Sequence, residues 1–314
     1  MLHQSPENVS INSEAREKEA AERSMKLFTQ YTLLNLSYAA ALLLATTSFT
    51  LTTVYAAEAG NVNDQRIIDA QRNEPGSWLS YGQTYKEQRF SELTQINRSN
   101  VAELNLAWSK PIGDYNMRMQ GTPLVVDGVM YVSNGWSVIY ALNATNGEEI
   151  WRHDPEVDRS YAALACCGPA HNRGVAVYDG KVFVGTFDGR LIAVDANTGE
   201  ELWDIDTWIP EGLGRFNITG APRAAAGKVV IGQGSGESGH RRGYVTAYDT
   251  DTGEVAWRFF LVPGNPNEPF EHPEMEMAAQ TWGGEWWKYG GGGKAWNALV
   301  YDEEFNSLYV GVGN

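Results

Sequence analysis

The chain of 314 residues is nearly devoid of cysteine: it has two, and they are neighbours, Cys166 and Cys167. Each has only the other as a disulfide partner. Consecutive Cα atoms lie about 3.8 Å apart across a trans peptide, whereas ordinary disulfides span roughly 4.4 to 6.8 Å. A bridge here would be a strained ring, of the kind that persists at functional sites; the plain alternative is two reduced thiols packed as small apolar side chains. There is no Cys-x-x-Cys-His run for attaching haem, and the five histidines are scattered without the close spacing of a zinc site. The glycine run ending at Lys294 lacks phosphate-loop spacing, because Ala295 follows the lysine. Positive charge is also scarce. With 24 basic against 39 acidic side chains the net charge is −15 and no basic stripe is present, which disfavours nucleic acid and favours a cationic protein partner.

Charge of either sign is absent from Leu27 to Ala57, where an apolar run including Tyr38–Ala45 ends in the small residues Ala56 and Ala57 behind Lys26. This reads as a signal peptide, with a membrane anchor as the alternative, and places the mature protein in the periplasm, an oxidising space that permits a disulfide. The polar leader ahead of it is unusual for a signal, and a start at Met25 is one reading of it. The rest, 43% hydrophobic overall, has enough apolar residues for a sizeable core.

What the chain does have is repetition. Ala141–Trp151, Ala193–Trp203 and Ala247–Trp257 share the pattern Ala-x-(Asp/Asn)-x-x-(Thr/Asn)-Gly-Glu, closed by tryptophan, and 52 and 54 residues separate successive tryptophans. That period suits propeller blades. Runs such as Val175–Tyr178, Asp179-Gly180 and Lys181–Gly185 read as strand, tight turn, strand. The same grammar recurs at Pro123–Val132 and Ala298–Gly311. Each unit then supplies a third strand ending at the Ala-x-(Asp/Asn) motif and a fourth ending in tryptophan, so the fold class is all-β, a β-propeller of four-stranded antiparallel blades. The motif's Gly, Asp and Trp serve turns and blade packing. Residues 1–57 form the extension and signal, 58–107 a lead-in segment with helix-compatible stretches at Asp64–Gln71 and Ser91–Leu104, and 108–314 about four blades, counted from Trp108, Trp151, Trp203 and Trp257. The chain stops in mid-blade at Asn314, and the reading expects a piece of a larger propeller.

From roughly Asp64 to Asn314 the sequence resembles the quinoprotein alcohol dehydrogenases of the methanol/ethanol type, over about the first half of such an enzyme. The resemblance rests on Cys166-Cys167 followed by Asn172-Arg173-Gly174, on Gly234-Ser235-Gly236-Glu237 followed by Arg242-Gly243-Tyr244, and on Trp287 with Gly290–Gly293, Trp296 and Gly313-Asn314. It implies an eight-bladed propeller binding pyrroloquinoline quinone. A Cys166–Cys167 disulfide would cover one face of the quinone and Trp296 the other, since aromatic faces and polarisable sulfur suit a flat ring. Arg173 matches an arginine near the quinone oxygens, where a fork of donors binds and polarises them. Thr219 matches a threonine bonding a cofactor carboxylate, and Gly234, Ser235 and Gly236 match the backbone run just before the metal ligand. Glu237 and Asn314 match oxygen ligands of calcium, which a lanthanide replaces in some relatives.

The pattern departs at Lys294, where a threonine is expected, although a lysine can still pair with a carboxylate. Gln120 stands where relatives often have glutamate, and the spacers after Cys167 and Glu237 are longer. The resemblance places the general base, an aspartate, beyond Asn314, so no residue of this chain is assigned a catalytic role. The expected activity is oxidation of a primary alcohol by hydride transfer to the quinone, with electrons passed to a cytochrome c and with residues 1–314 inactive by themselves. A homo-oligomer is left open. The competing reading is a non-catalytic envelope scaffold built on similar repeats; it calls for a lipid-bearing cysteine near Ala57, which is absent, and leaves Cys166-Cys167 without a purpose.

Overall fold

The computed structural model describes residues 59–113, 117–160, 169–209, 216–233, 242–297 and 299–313, together with the isolated Lys18 and Met25. The chain divides into Met1–Ala57, of which only those two residues are described, and Glu58–Asn314, which carries every element below. The expected signal segment lies outside the described residues. Among the described residues no helix is long and apolar enough to cross a membrane.

Helix α1 (Asp64–Asn73) is followed in the chain by β1 (Arg118–Met119) and then by three four-stranded antiparallel sheets. The first comprises β2 (Leu124–Val126), β3 (Val129–Ser133), β4 (Ile139–Asn143) and β5 (Glu149–His153). After β6 (His171–Asn172) comes the second, with β7 (Ala176–Tyr178), β8 (Lys181–Gly185), β9 (Arg190–Asp195) and β10 (Glu201–Asp206). The third holds β11 (Arg223–Ala225), β12 (Lys228–Gly232), β13 (Tyr244–Asp249) and β14 (Val255–Phe260). An excursion carrying α2 (Pro273–Ala279) then leads to a two-stranded sheet of β15 (Leu299–Asp302) and β16 (Ser307–Val310). Within each four-stranded sheet the strands pair with their chain neighbours, as meandering blades require, while β1 and β6 pair in parallel. Strands β7 to β9 are buried on both faces along most of their length, because a sheet lies on either side of them. One apolar cluster joins Leu124 and Tyr131, Val182 and Phe183, and Val229 and Ile231 across the three sheets.

The repeated motif explains how blades dock. In each sheet an Asn or Asp ends the third strand and turns its side chain onto the following amides: Asn143 Oδ1 accepts from Thr145 N, Asp195 Oδ1 from Asn197 and Thr198 N, and Asp249 Oδ1 from Asp251 and Thr252 N. The glycines 147, 199 and 253 sit there at φ of 73°, 75° and 71°. A Cβ on Gly147 would stand 2.4 Å from the Trp108 ring, on Gly199 2.6 Å from Trp151, and on Gly253 3.1 Å from Trp203. Each indole N–H also donates into that turn, Trp108 to Ala144 O, Trp151 to Ala196 O and Trp203 to Thr250 O. The tryptophan of one unit therefore packs on the glycine turn of the next.

Three details differ from expectation. The tryptophans lie within the fourth strands, which run on to His153, Asp206 and Phe260, because the strand's outer end still pairs with its neighbour. Trp108 is in no strand, so three complete sheets and two strand pairs, β1–β6 and β15–β16, are described, although its ring docks as the others do. Residues 91–104 form no long helix: Asn97 and Asn100 bond locally, Asn97 Oδ1 accepting from Ser99 N and Asn100 Nδ2 donating to Gln95 O, which leaves only a short 3-10 turn at Val101–Glu103.

The stretch around α1 clasps the β-hairpin turns of all three sheets. Arg66 forks onto Glu74 and onto Asp127 in the β2–β3 turn, at 2.6 to 3.1 Å. The carbonyls of Val62 and Gly60 accept from Asp179 and Gly180 in the β7–β8 turn. Asp64 accepts from Ala226 N in the β11–β12 turn, and from the hydroxyls of Tyr85 at 2.5 Å and Tyr178 at 3.0 Å.

Candidate functional site

At the other end of the inner strands, the segments that lead into β7, β11 and β15 converge. Arg173 precedes β7; its Nη1 donates to Thr219 Oγ1 at 2.7 Å and to the Thr219 carbonyl at 3.1 Å, just before β11. Its guanidinium carbon lies 4.7 Å from the centre of the Trp296 ring, just before β15. Trp296 is 39% exposed, so much of the indole remains open to a ligand. A Cβ on Gly220 would stand 2.5 Å from the Trp296 carbonyl, and one on Gly313 2.8 Å from its Nε1. The absence of side chains at both positions is what lets these segments meet.

Arg173 is half-buried, and desolvation pushes its pKa below the ordinary arginine value, opposed by nearby Tyr81. Among the described residues it forms no ion pair with a carboxylate. Burial of a cation without a counter-charge costs free energy, and the cost is recovered when an anion binds. Lys294, 1% exposed, adds an ammonium 5.6 Å from the Phe216 ring centre, and its backbone exchanges hydrogen bonds with Gly313. An open indole face beside a fork of donors suits a flat, conjugated anion.

Of the residues singled out from sequence, the structure brings Arg173, Thr219, Lys294 and Trp296 to this place. Cys166, Cys167, Gly234, Ser235, Gly236, Glu237 and Asn314 lie outside the described residues. Their described neighbours do reach the site: a Cβ on Gly232 would lie 2.1 Å from the Ala295 carbonyl, and Gly313 pairs with Lys294. Gln233, next in the chain, is 1% exposed, and among the described residues neither its Oε1 nor its Nε2 has a hydrogen-bond partner. A buried amide in that state fits a polar ligand or a water held alongside the run that follows it. Gln120 has an exposed side chain, and its backbone N–H donates to Asn172 O.

Sequence reasoning missed Asn172 as more than part of a motif. It is fully buried and makes four side-chain bonds: Oδ1 accepts from Ser133 Oγ at 2.7 Å and Gly174 N at 2.8 Å, and Nδ2 donates to Ser137 Oγ at 3.1 Å and Gly185 O at 2.9 Å. Its position beside Arg173 was the only available signal, because three of its four partners lie 13 to 39 residues away.

Residues 78–314 match the family described as glucose/ethanol/alcohol dehydrogenase of the PQQ type, beta-propeller domain. The chain is 51% identical over 265 residues to quinohemoprotein alcohol dehydrogenase ADH IIB of Pseudomonas putida, covering 84% of this chain and 38% of that protein. It is 48% identical over 209 residues to 1-butanol dehydrogenase (cytochrome c) of Thauera butanivorans, covering 66% and 29%. Among solved structures it resembles quinohemoprotein alcohol dehydrogenase ADHIIG of Pseudomonas putida HK5, with TM-score 0.77 and 53% identity over 82% of this chain and 37% of that one. A europium-containing methanol dehydrogenase follows, with TM-score 0.69 and 35% identity over 80% and 44%. The chain thus spans well under half the length of these relatives. On the matched blades and the site between them, it belongs to the PQQ-dependent glucose/ethanol/alcohol dehydrogenase beta-propeller family.

Proposed function

We propose that this chain supplies the quinone-binding half of a dehydrogenase that oxidises a primary alcohol. The observation that carries this reading is the half-buried Arg173, without a carboxylate partner among the described residues, poised between Thr219 and the open face of Trp296. Bound there, pyrroloquinoline quinone would supply a two-electron acceptor for the hydride that leaves the alcohol carbon, while the hydroxyl proton goes to a general base not assigned among residues 1–314.

The chain's own residues hold and orient. Trp296 would support one face of the ring and a Cys166–Cys167 disulfide the other. Arg173 would donate to the quinone oxygens, Thr219 and Lys294 would bind its carboxylates, and Gly234, Ser235 and Gly236 would contribute backbone contacts just before the metal ligand. Glu237 and Asn314 would present hard oxygens to calcium, or to a lanthanide as in the europium-containing relative. An exported, periplasmic protein with this acidic surface suits a cationic cytochrome c as electron acceptor, in keeping with the name of the Thauera relative.

The intact protein, supplied with quinone and calcium, is expected to oxidise primary alcohols in a dye-linked assay, and residues 1–314 alone to show negligible turnover. Quinone binding without any alcohol oxidation by the intact protein would overturn the activity, and ready turnover by residues 1–314 would overturn the division of labour.

A further inference from the structure

We propose that Asn172 is the positioning residue for Arg173: it fixes the backbone from which the guanidinium reaches the quinone. This rests on the quinone-binding reading of the site. Asn172 and Arg173 are consecutive, yet they do opposite things. All four hydrogen bonds of the buried Asn172 amide go to the protein, to Ser133 and Ser137 of the first blade and to Gly185 and Gly174 of the second. Ser137 Oγ also donates to Gly185 O, closing a small polar knot between the two blades. The parallel pairing of His171-Asn172 with Arg118-Met119, and the bond from Gln120 N to Asn172 O, pin the same residue from its backbone.

Immediately after this knot, Gly174 adopts φ of 122°, and its N–H is held by Asn172 Oδ1. Arg173 is thus clamped on both sides, and its side chain leaves toward the third blade at Thr219 and toward Trp296. An arginine has many rotamers, and ordering it only when ligand arrives would weaken binding; a fixed starting point removes part of that cost. Asn172 touches no ligand itself. It acts through its neighbour.

A double-mutant cycle tests this, with quinone affinity of the intact protein read by tryptophan fluorescence in the presence of calcium. Asn172→Ala is expected to weaken binding about tenfold, and Asn172→Ser, which restores one hydroxyl, by less. In an Arg173→Ala background, Asn172→Ala is expected to change affinity by less than twofold, which a general loosening of the fold would not do. If Arg173→Ala leaves affinity unchanged, the quinone-site reading fails. If Arg173→Ala weakens binding while Asn172→Ala is silent, or the two effects simply add, the positioning role is overturned. Should Asn172→Ala fold poorly, the Ser variant carries the same cycle with smaller numbers.

Discussion

Arg66 and Arg173 sit toward opposite ends of the blades and meet opposite fates. Arg66, in the clasp over the hairpin turns, is paired with two carboxylates, and its hydrogen bonds to Glu74 and Asp127 drive its pKa well up. Arg173, where the inner strands begin, is paired with no carboxylate among the described residues, and desolvation drives its pKa down. The same side chain finds its counter-charges within the fold in one place and, among the described residues, finds none in the other. The clasp follows the first pattern throughout, since Asp64 takes donors from Tyr85, Tyr178 and Ala226. The site follows the second, since Gln233 is buried with no partner for its amide among the described residues. Changes in the clasp should therefore cost stability and spare quinone affinity, and changes at the site should do the reverse.

The largest stability loss is expected from Asp64→Ala. It removes a charged acceptor from two tyrosine hydroxyls and a turn amide, at about 3 to 4 kcal/mol; denaturant melts of the intact protein measure it, and quinone affinity should hold within twofold. Gly199→Ala comes next, at about 2 kcal/mol, because the new methyl meets the Trp151 ring at 2.6 Å in a left-handed turn. A neutral result there would show that blade docking tolerates more room than the geometry gives. The smallest effect concerns acid. Hydrogen bonding from Arg66 holds the Glu74 carboxyl below its ordinary 4.5. A depressed native pKa contributes stability above the unfolded value, lost as pH falls through the lower native one. Glu74→Gln should flatten stability against pH below about 4.5 without touching the neutral-pH site. Loss of quinone affinity in any of these three variants would blur the contrast between the two regions.

The blades were legible because their signals are local. Strand, Asp-Gly turn and strand lie within a dozen residues, and the Ala-x-Asp-x-x-Thr-Gly-Glu motif carries its own turn chemistry. The reciprocal docking of Trp151 on Gly199 was half visible: the sequence shows both residues recurring, and the structure shows which unit each one serves. The clasp was not legible, since Arg66 meets Asp127 across 61 residues and Asp64 meets Ala226 across 162. Local composition also misled at Ser91–Leu104, where asparagine side chains compete with helix formation. For the site, Arg173, Thr219 and Trp296 come from the approaches to three different sheets, and no spacing rule links them. They were recognisable only through family resemblance, which named the residues expected to meet a cofactor and passed over Asn172, buried beside one of them.

The central claim is that Arg173, which pairs with no carboxylate among the described residues, binds an anionic quinone. Titration of the intact, quinone-depleted protein with pyrroloquinoline quinone and calcium, followed by tryptophan fluorescence, tests it most directly. Arg173→Met, which keeps an unbranched apolar stem and removes the charge, is predicted to weaken binding about 100-fold, or about 2.8 kcal/mol, with thermal stability unchanged or slightly raised. Wild-type affinity in Arg173→Met would contradict the account.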